Sequence, residues 1–145
     1  MAEYCQILHL EHYLPLRSET KIYQRRKVTV DKPVFPGYLF VTFDHEGRLN
    51  LLRTNNIVRI LETESEQQLL YELAQIRQAL TVDPTLGAVS ALKQGRRVRI
   101  TGGPFLGVEG LVASLRGPTK VLLNVDLIGR AVAVEVAREY LEVID

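Results

Sequence analysis

The chain has one cysteine, one methionine and no tryptophan in 145 residues. A lone thiol, Cys5, excludes an internal disulfide and fits a reducing compartment. No apolar run approaches the roughly 20 residues that span a membrane. The opening "MAEYCQILHLEHYLPL" lacks the basic region and small-residue cleavage site of a secretory leader. Charge of one sign is missing as well. The formal net charge is +1; residues 1–80 carry ten basic and ten acidic side chains, and residues 81–145 carry eight and seven. Neither half therefore has the positive field of a protein held to nucleic acid by phosphate attraction alone. Local patches or a partner would have to supply such contact. These absences point to a cytoplasmic protein with no membrane segment.

Catalytic and metal chemistry are thinly represented. His9, His12 and His45 are scattered, with no further ligand at metal spacing. Cys5 lies on the apolar side of a helical segment and reads as a small buried hydrophobe. "TGGPFLGVEG" is rich in glycine but is followed by neither Lys-Ser/Thr nor a helix, so it is no phosphate loop; its glycines suit tight turns and a bulged strand. No carboxylate pair or Ser/His/Asp pattern stands out. Neither an enzyme nor a bound cofactor is indicated.

What is present is an ordinary globular composition, 46% apolar and 24% charged. Residues 2–11 read as the end of a helix, "HYLPL" as a short strand, and 21–30 as a hairpin with a charged tip. In "VDKPVFPGYLFVTFD" the proline and glycine force a sharp entry into a strand over 38–43, with Phe35 at its mouth. A short helix is expected over 48–54 and a strand over 57–61. Ser65 and Gln68 form a capping-box pattern ahead of a helix whose Leu69, Leu73, Ile76 and Leu80 make one apolar stripe. Residues 81–92, "TVDPTLGAVSAL", read as a linker. Beyond it, short alternating strands such as "VRI" and "AVAVEV", separated by "TGGPF", "GVEG", "RGPT" and "LIGR", predict a small all-β barrel. The fold class is thus α+β, an antiparallel sheet with helices followed by an SH3-like barrel.

Two stretches together resemble a known family. "FPGYLFVTF" resembles the signature of the N-terminal domain of NusG-type transcription elongation factors, and "VRITGGPFLGVEGLV" resembles their KOW motif. "YLPLRSETKIYQRRKVTVDKPVFPGYLFV" and "VLLNVDLIGRAVAVEV" are similar to the specialised RfaH and UpxY groups of antitermination factors. The resemblance implies an RNA polymerase-binding domain over 1–80, a linker over 81–92 and a KOW barrel over 93–145. It implies docking on the polymerase clamp helices, with Phe35, Pro36 and Tyr38 as candidates for that surface. It implies a second anchor from "RLNLLRTNN", where Asn50 and Arg53 are candidates and the His-Thr-Thr triplet of the RfaH group is absent. Some family members touch the non-template DNA strand, for which Tyr23, Arg25, Arg26 and Lys27 are candidates; the ordinary alternative is a solvated hairpin tip. The barrel's implied partners are ribosomal protein S10 or Rho, through Phe105, Leu127, Ile128 and Arg130. Relative to the family, the chain begins inside the first helix, so the sheet is expected to lack its first strand. The oligomeric state stays open. The alternative reading is a KOW-type RNA-binding protein of ribosomal type, against which the near-zero net charge speaks.

Overall fold

The computed structural model describes residues 1–7, 11–116 and 119–144. Met1–Pro15 with Phe35–Glu62 form one compact unit, and Leu16–Val34 with Thr63–Asp145 form another. The chain opens with α1 (Ala2–Ile7) and β1 (Glu11–Tyr13), followed by β2 (Leu16–Tyr23) and β3 (Arg26–Pro33). Then come β4 (Phe40–Thr42), α2 (His45–Leu52) and α3 (Glu66–Val82). In the first unit β1 pairs antiparallel with β4, His12 opposite Val41. Cys5 is fully buried, as its place on an apolar helix side implies. Leu8, His9 and Leu10, expected to continue α1, lie outside the described residues.

The Pro-Gly pair does what its chemistry suggests. The Tyr38 amide donates to the Phe35 carbonyl at 3.1 Å, and Gly37 takes φ +88°. Proline at the second position and a left-handed glycine at the third make this a type II turn. The strand after it is shorter than expected, β4 keeping only three residues because its partner β1 has three. Asp44 caps α2, its carboxylate accepting from the Gly47 amide at 2.7 Å. The strand expected over 57–61 does not form; these residues have no regular structure, and Val58 is fully exposed. Without a sheet edge to pair with, β-branched residues gain too little burial to offset ordering.

In the second unit β2 and β3 form a two-stranded hairpin. Ser65 accepts from the Gln68 amide at 3.2 Å and so caps α3 as its pattern implies. Leu73, Ile76 and Leu80 are buried and Leu69 is half-buried. After α3 come β5 (Ala88–Ser90), β6 (Arg96–Ile100), β7 (Glu109–Val112), β8 (Thr119–Val125), β9 (Arg130–Val136) and β10 (Leu141–Val143). They make a six-stranded antiparallel sheet in the order β10-β6-β7-β8-β9-β5. Its core is mostly valine: Val98, Val108, Val112, Val121, Val125 and Val132 are fully buried. Gly110 is required in β7, since a Cβ there would sit 2.7 Å from the Leu122 carbonyl oxygen. The fold is thus α+β, with a KOW-like sheet in its C-terminal part.

The compact units do not follow the 1–80, 81–92, 93–145 division. Residues 81–92 complete α3, turn at Asp83, whose carboxylate accepts from the Thr85 amide at 3.0 Å, and then pair as β5 with β9. The buried Asn124 side chain accepts from the Leu92 amide at 3.1 Å and donates to its carbonyl at 2.7 Å. One amide side chain thereby satisfies both backbone groups, as a strand would.

Candidate functional site

The FPGY turn is built from the buried side outward. Phe35 is only 2% exposed, and its ring meets Phe40 edge-on with centroids 6.4 Å apart, an arrangement the ring quadrupoles favour. Pro36 and Gly37 are exposed at the corner, and Tyr38 is half-buried beside them. Phe35 therefore does not present its ring as a docking surface. The turn reverses the chain at Pro36–Gly37 and folds the ring back against β4, so it supports the corner from beneath. Arg53, which follows the last residue of α2, donates to the side-chain oxygen of Asn50 in the helix's last turn at 3.3 Å. Asn50 is half-buried and Arg53 exposed.

Tyr23, Arg25, Arg26 and Lys27 all sit exposed at the hairpin tip. Gln24 and Arg25 take φ +46° and +66°, the two-residue loop whose twist matches the strands. Register divides the four. Tyr23 stands opposite Arg26, whereas Lys27 stands opposite Ile22. Opposed residues share a face and adjacent ones alternate, so Lys27 points away from Tyr23 and Arg26.

The expected partner residues of the C-terminal sheet come from two loops. Phe105 is half-buried in the β6–β7 loop. Leu127 and Ile128 are half-buried in a 3-10 turn, Asp126–Ile128, which ends at Gly129 with φ +63°; Arg130 follows, exposed at the start of β9. These same loops receive the polar face of α3. Gln78 donates to the Leu106 carbonyl at 3.0 Å, Gln68 to the Asp126 carboxylate at 3.0 Å, and Gln75 accepts from the Glu109 amide at 2.9 Å. Tyr71 donates to the Glu109 carboxylate, and Arg97 both donates to the Tyr71 hydroxyl at 3.0 Å and lies 5.7 Å from its ring centroid. The Tyr71 bond, then that from Arg99 at 2.9 Å, hold Glu109 below the usual carboxylate range. Glu72 accepts from the Asp126 amide at 3.3 Å. Burial first, and the Asp126 charge second, push Glu72 up to about 7. A cleft of about 520 Å³ between helix and sheet is lined by Gln68, Tyr71, Glu72, Arg97 and Asp126, among others.

Sequence reasoning found the apolar stripe of α3 but not this second face. Gln68, Tyr71, Glu72, Gln75 and Gln78 repeat with helical spacing as well, and polar residues in that pattern read as a solvated face. Among the described residues no group of three His, Cys, Asp or Glu side chains is placed to hold a metal ion.

A family model described as "Transcription termination factor nusG" matches residues 2–79, which include the hairpin, the FPGY turn, α2 and most of α3. The chain belongs to the NusG family. It is 31% identical over 130 residues to the transcription termination/antitermination protein NusG of Deinococcus radiodurans, a match covering 76% of this chain and 68% of that relative. It is 22% identical over 142 residues to the protein of the same name from Borreliella burgdorferi, covering 88% and 77%. This NusG-family member is thus a transcription termination/antitermination factor by its relatives. Among its described residues no helix is long and apolar enough to cross a membrane.

Proposed function

We propose that this chain is a transcription elongation and antitermination factor that binds RNA polymerase. Residues 1–80 dock on the clamp helices through the Pro36–Tyr38 corner, and Asn50 at the end of α2 with Arg53 just past it make a second contact. Tighter binding to the closed, moving enzyme than to its open, paused form shifts the population toward elongation, with no bond made or broken. The hairpin tip meets the non-template DNA strand. Residues 93–145 recruit a protein partner, ribosomal protein S10 or Rho, through Phe105, Leu127, Ile128 and Arg130.

One observation carries the reading. Within the family match over 2–79, an exposed proline corner is backed by the buried Phe35 ring packed edge-on against the half-buried Phe40. A rigid corner of that kind binds without a large ordering cost. Retention on immobilised core RNA polymerase tests it. The wild-type chain is expected to be retained, and Tyr38→Ala to weaken retention about tenfold or more, as truncating an interface aromatic does. A folded wild-type chain that is not retained, or Tyr38→Ala retained as well as wild type, sinks the reading.

A further inference from the structure

The hairpin has two long edges, and they differ in what covers them. β2 and β3 form a sheet of two strands, exposed on most of both faces. Such a pair is marginal by itself and gains from a further strand. Register fixes which backbone groups remain for one. Tyr23 and Arg26 close the two-residue loop, and residues that close such a loop bond to each other across it. Because bonded and unbonded pairs alternate along antiparallel strands, Arg26, Val28, Val30 and Lys32 turn their N–H and C=O groups toward β2, lacking an N–H in no case. Lys27, Thr29 and Asp31 turn theirs outward. The Ser18 amide agrees with this division. Ser18 stands opposite Asp31 and donates away from β3, to the Pro84 carbonyl at 2.6 Å.

That bond covers the base of the β2 edge. The β3 edge is open: among the described residues no further strand pairs with it, and no turn bond reaches Lys27, Thr29 or Asp31. An unpaired edge of this length is a template for another chain, and its side chains select which. Laid antiparallel on itself with Thr29 opposite Thr29, "RKVTVDKP" sets Lys27 opposite Asp31 of the second copy, and Asp31 opposite Lys27 of that copy. All of these turn their backbone groups outward, so each opposed pair exchanges both of its hydrogen bonds. Within one copy neither Lys27 nor Asp31 has an ion pair among the described residues, so both charges are available across the edge. On the other face Val28 meets Val30, a β-branched pair of the kind that stabilises sheets. Arg26 opposite Lys32 is the one unfavourable pair, and Glu19 offsets it by taking Lys32 at 2.7 Å. Sliding one copy by two residues sets Lys27 against Thr29 or Pro33 and loses both charge pairs within the strands; Pro33 also has no N–H to give.

We propose that two copies of this chain pair through the outer edge of β3, joining their hairpins into one antiparallel sheet about a two-fold axis at Thr29. The interface is isologous, the same patch on both copies, as a two-fold dimer requires. The pairing goes beyond the proposed function and does not depend on it. It uses the edge of the arm, and Tyr23 on β2 stays outside it.

Sedimentation velocity of the full chain over a range of concentrations reads the association. The wild type is expected to pass from monomer to dimer as the concentration rises. Asp31→Lys alone and Lys27→Asp alone each set like charges opposite one another on both sides of the axis, and each is expected to weaken the dimer about tenfold or more. Mixing these two variants restores opposite charges at both places, and the mixture is expected to associate about as tightly as the wild type. Thr29→Pro removes the central outward N–H, which the hairpin itself does not use, and is expected to abolish the dimer. Far-UV circular dichroism confirms that each variant is folded. A wild type that stays monomeric, a dimer that survives Thr29→Pro, single variants that dimerise like the wild type, or a mixture no tighter than its components overturns the proposal.

Discussion

Phe35 and Pro36 are neighbours in the chain with opposite surroundings, one buried and one exposed. The sharp turn was legible, because Pro-Gly before a strand has few other uses. Which side of that turn the aromatic takes was not legible, since a reversal can aim the preceding ring outward or back against its own strand. The energetic consequence separates the two residues. Phe35→Ala removes a fully buried ring from the Phe35–Phe40 contact and is expected to lower unfolding stability by about 3–5 kcal/mol. Pro36→Ala leaves the core intact and is expected to cost no more than about 1 kcal/mol, mostly through the added freedom of the unfolded chain. Urea unfolding of both variants measures the difference. Equal losses would mean that the ring is not packed as described.

At the scale of elements, α3 carries the clearest signal and the largest omission. Its cap and apolar stripe follow from Ser65, Gln68 and the leucine spacing, all of them local. Its polar face depends on the β6–β7 loop and the 126–128 turn arriving against it, and helical spacing alone says nothing of loops distant in sequence. Glu72 makes that contact sensitive to pH. Its folded pKa of about 7 lies above the ordinary glutamate value of 4.5, so folding takes up a proton there. The stability this supplies is complete below about pH 4.5 and is lost as the pH rises through about 7. The full shift would correspond to about 3 kcal/mol, and partial solvent screening reduces it to on the order of 1–2 kcal/mol. Glu72→Gln keeps an oxygen to accept from the Asp126 amide and removes the charge. Thermal unfolding is expected to show the variant gaining on the wild type at pH 8 and matching it near pH 4.5. A variant with the wild-type pH profile would place the titration elsewhere.

At the scale of the whole molecule, the change in texture after residue 81 is real, and what it marks is subtler than a tether. Gly, Pro and small residues in "TVDPTLGAVSAL" read as a linker, yet the stretch contains a helix end, a capped turn and a strand paired in the sheet. Small residues are as compatible with a short edge strand as with a flexible segment, and Asn124 is the distant residue that decides between them. The less ordered connection lies earlier. Residues 57–61 have no regular structure, Val58 is fully exposed, and the last of the three places where the chain passes between the two compact units lies between Glu62 and Thr63. Limited digestion with a protease of broad specificity distinguishes the two divisions. Cleavage requires a segment that opens into an extended conformation, and paired backbone resists it. The first cut is expected within 55–64, giving a stable C-terminal fragment in which α3 stays with the sheet. A first cut within 83–92, releasing the sheet without α3, would instead restore the division into 1–80 and 93–145 and make the polar face of α3 a contact that forms only in passing.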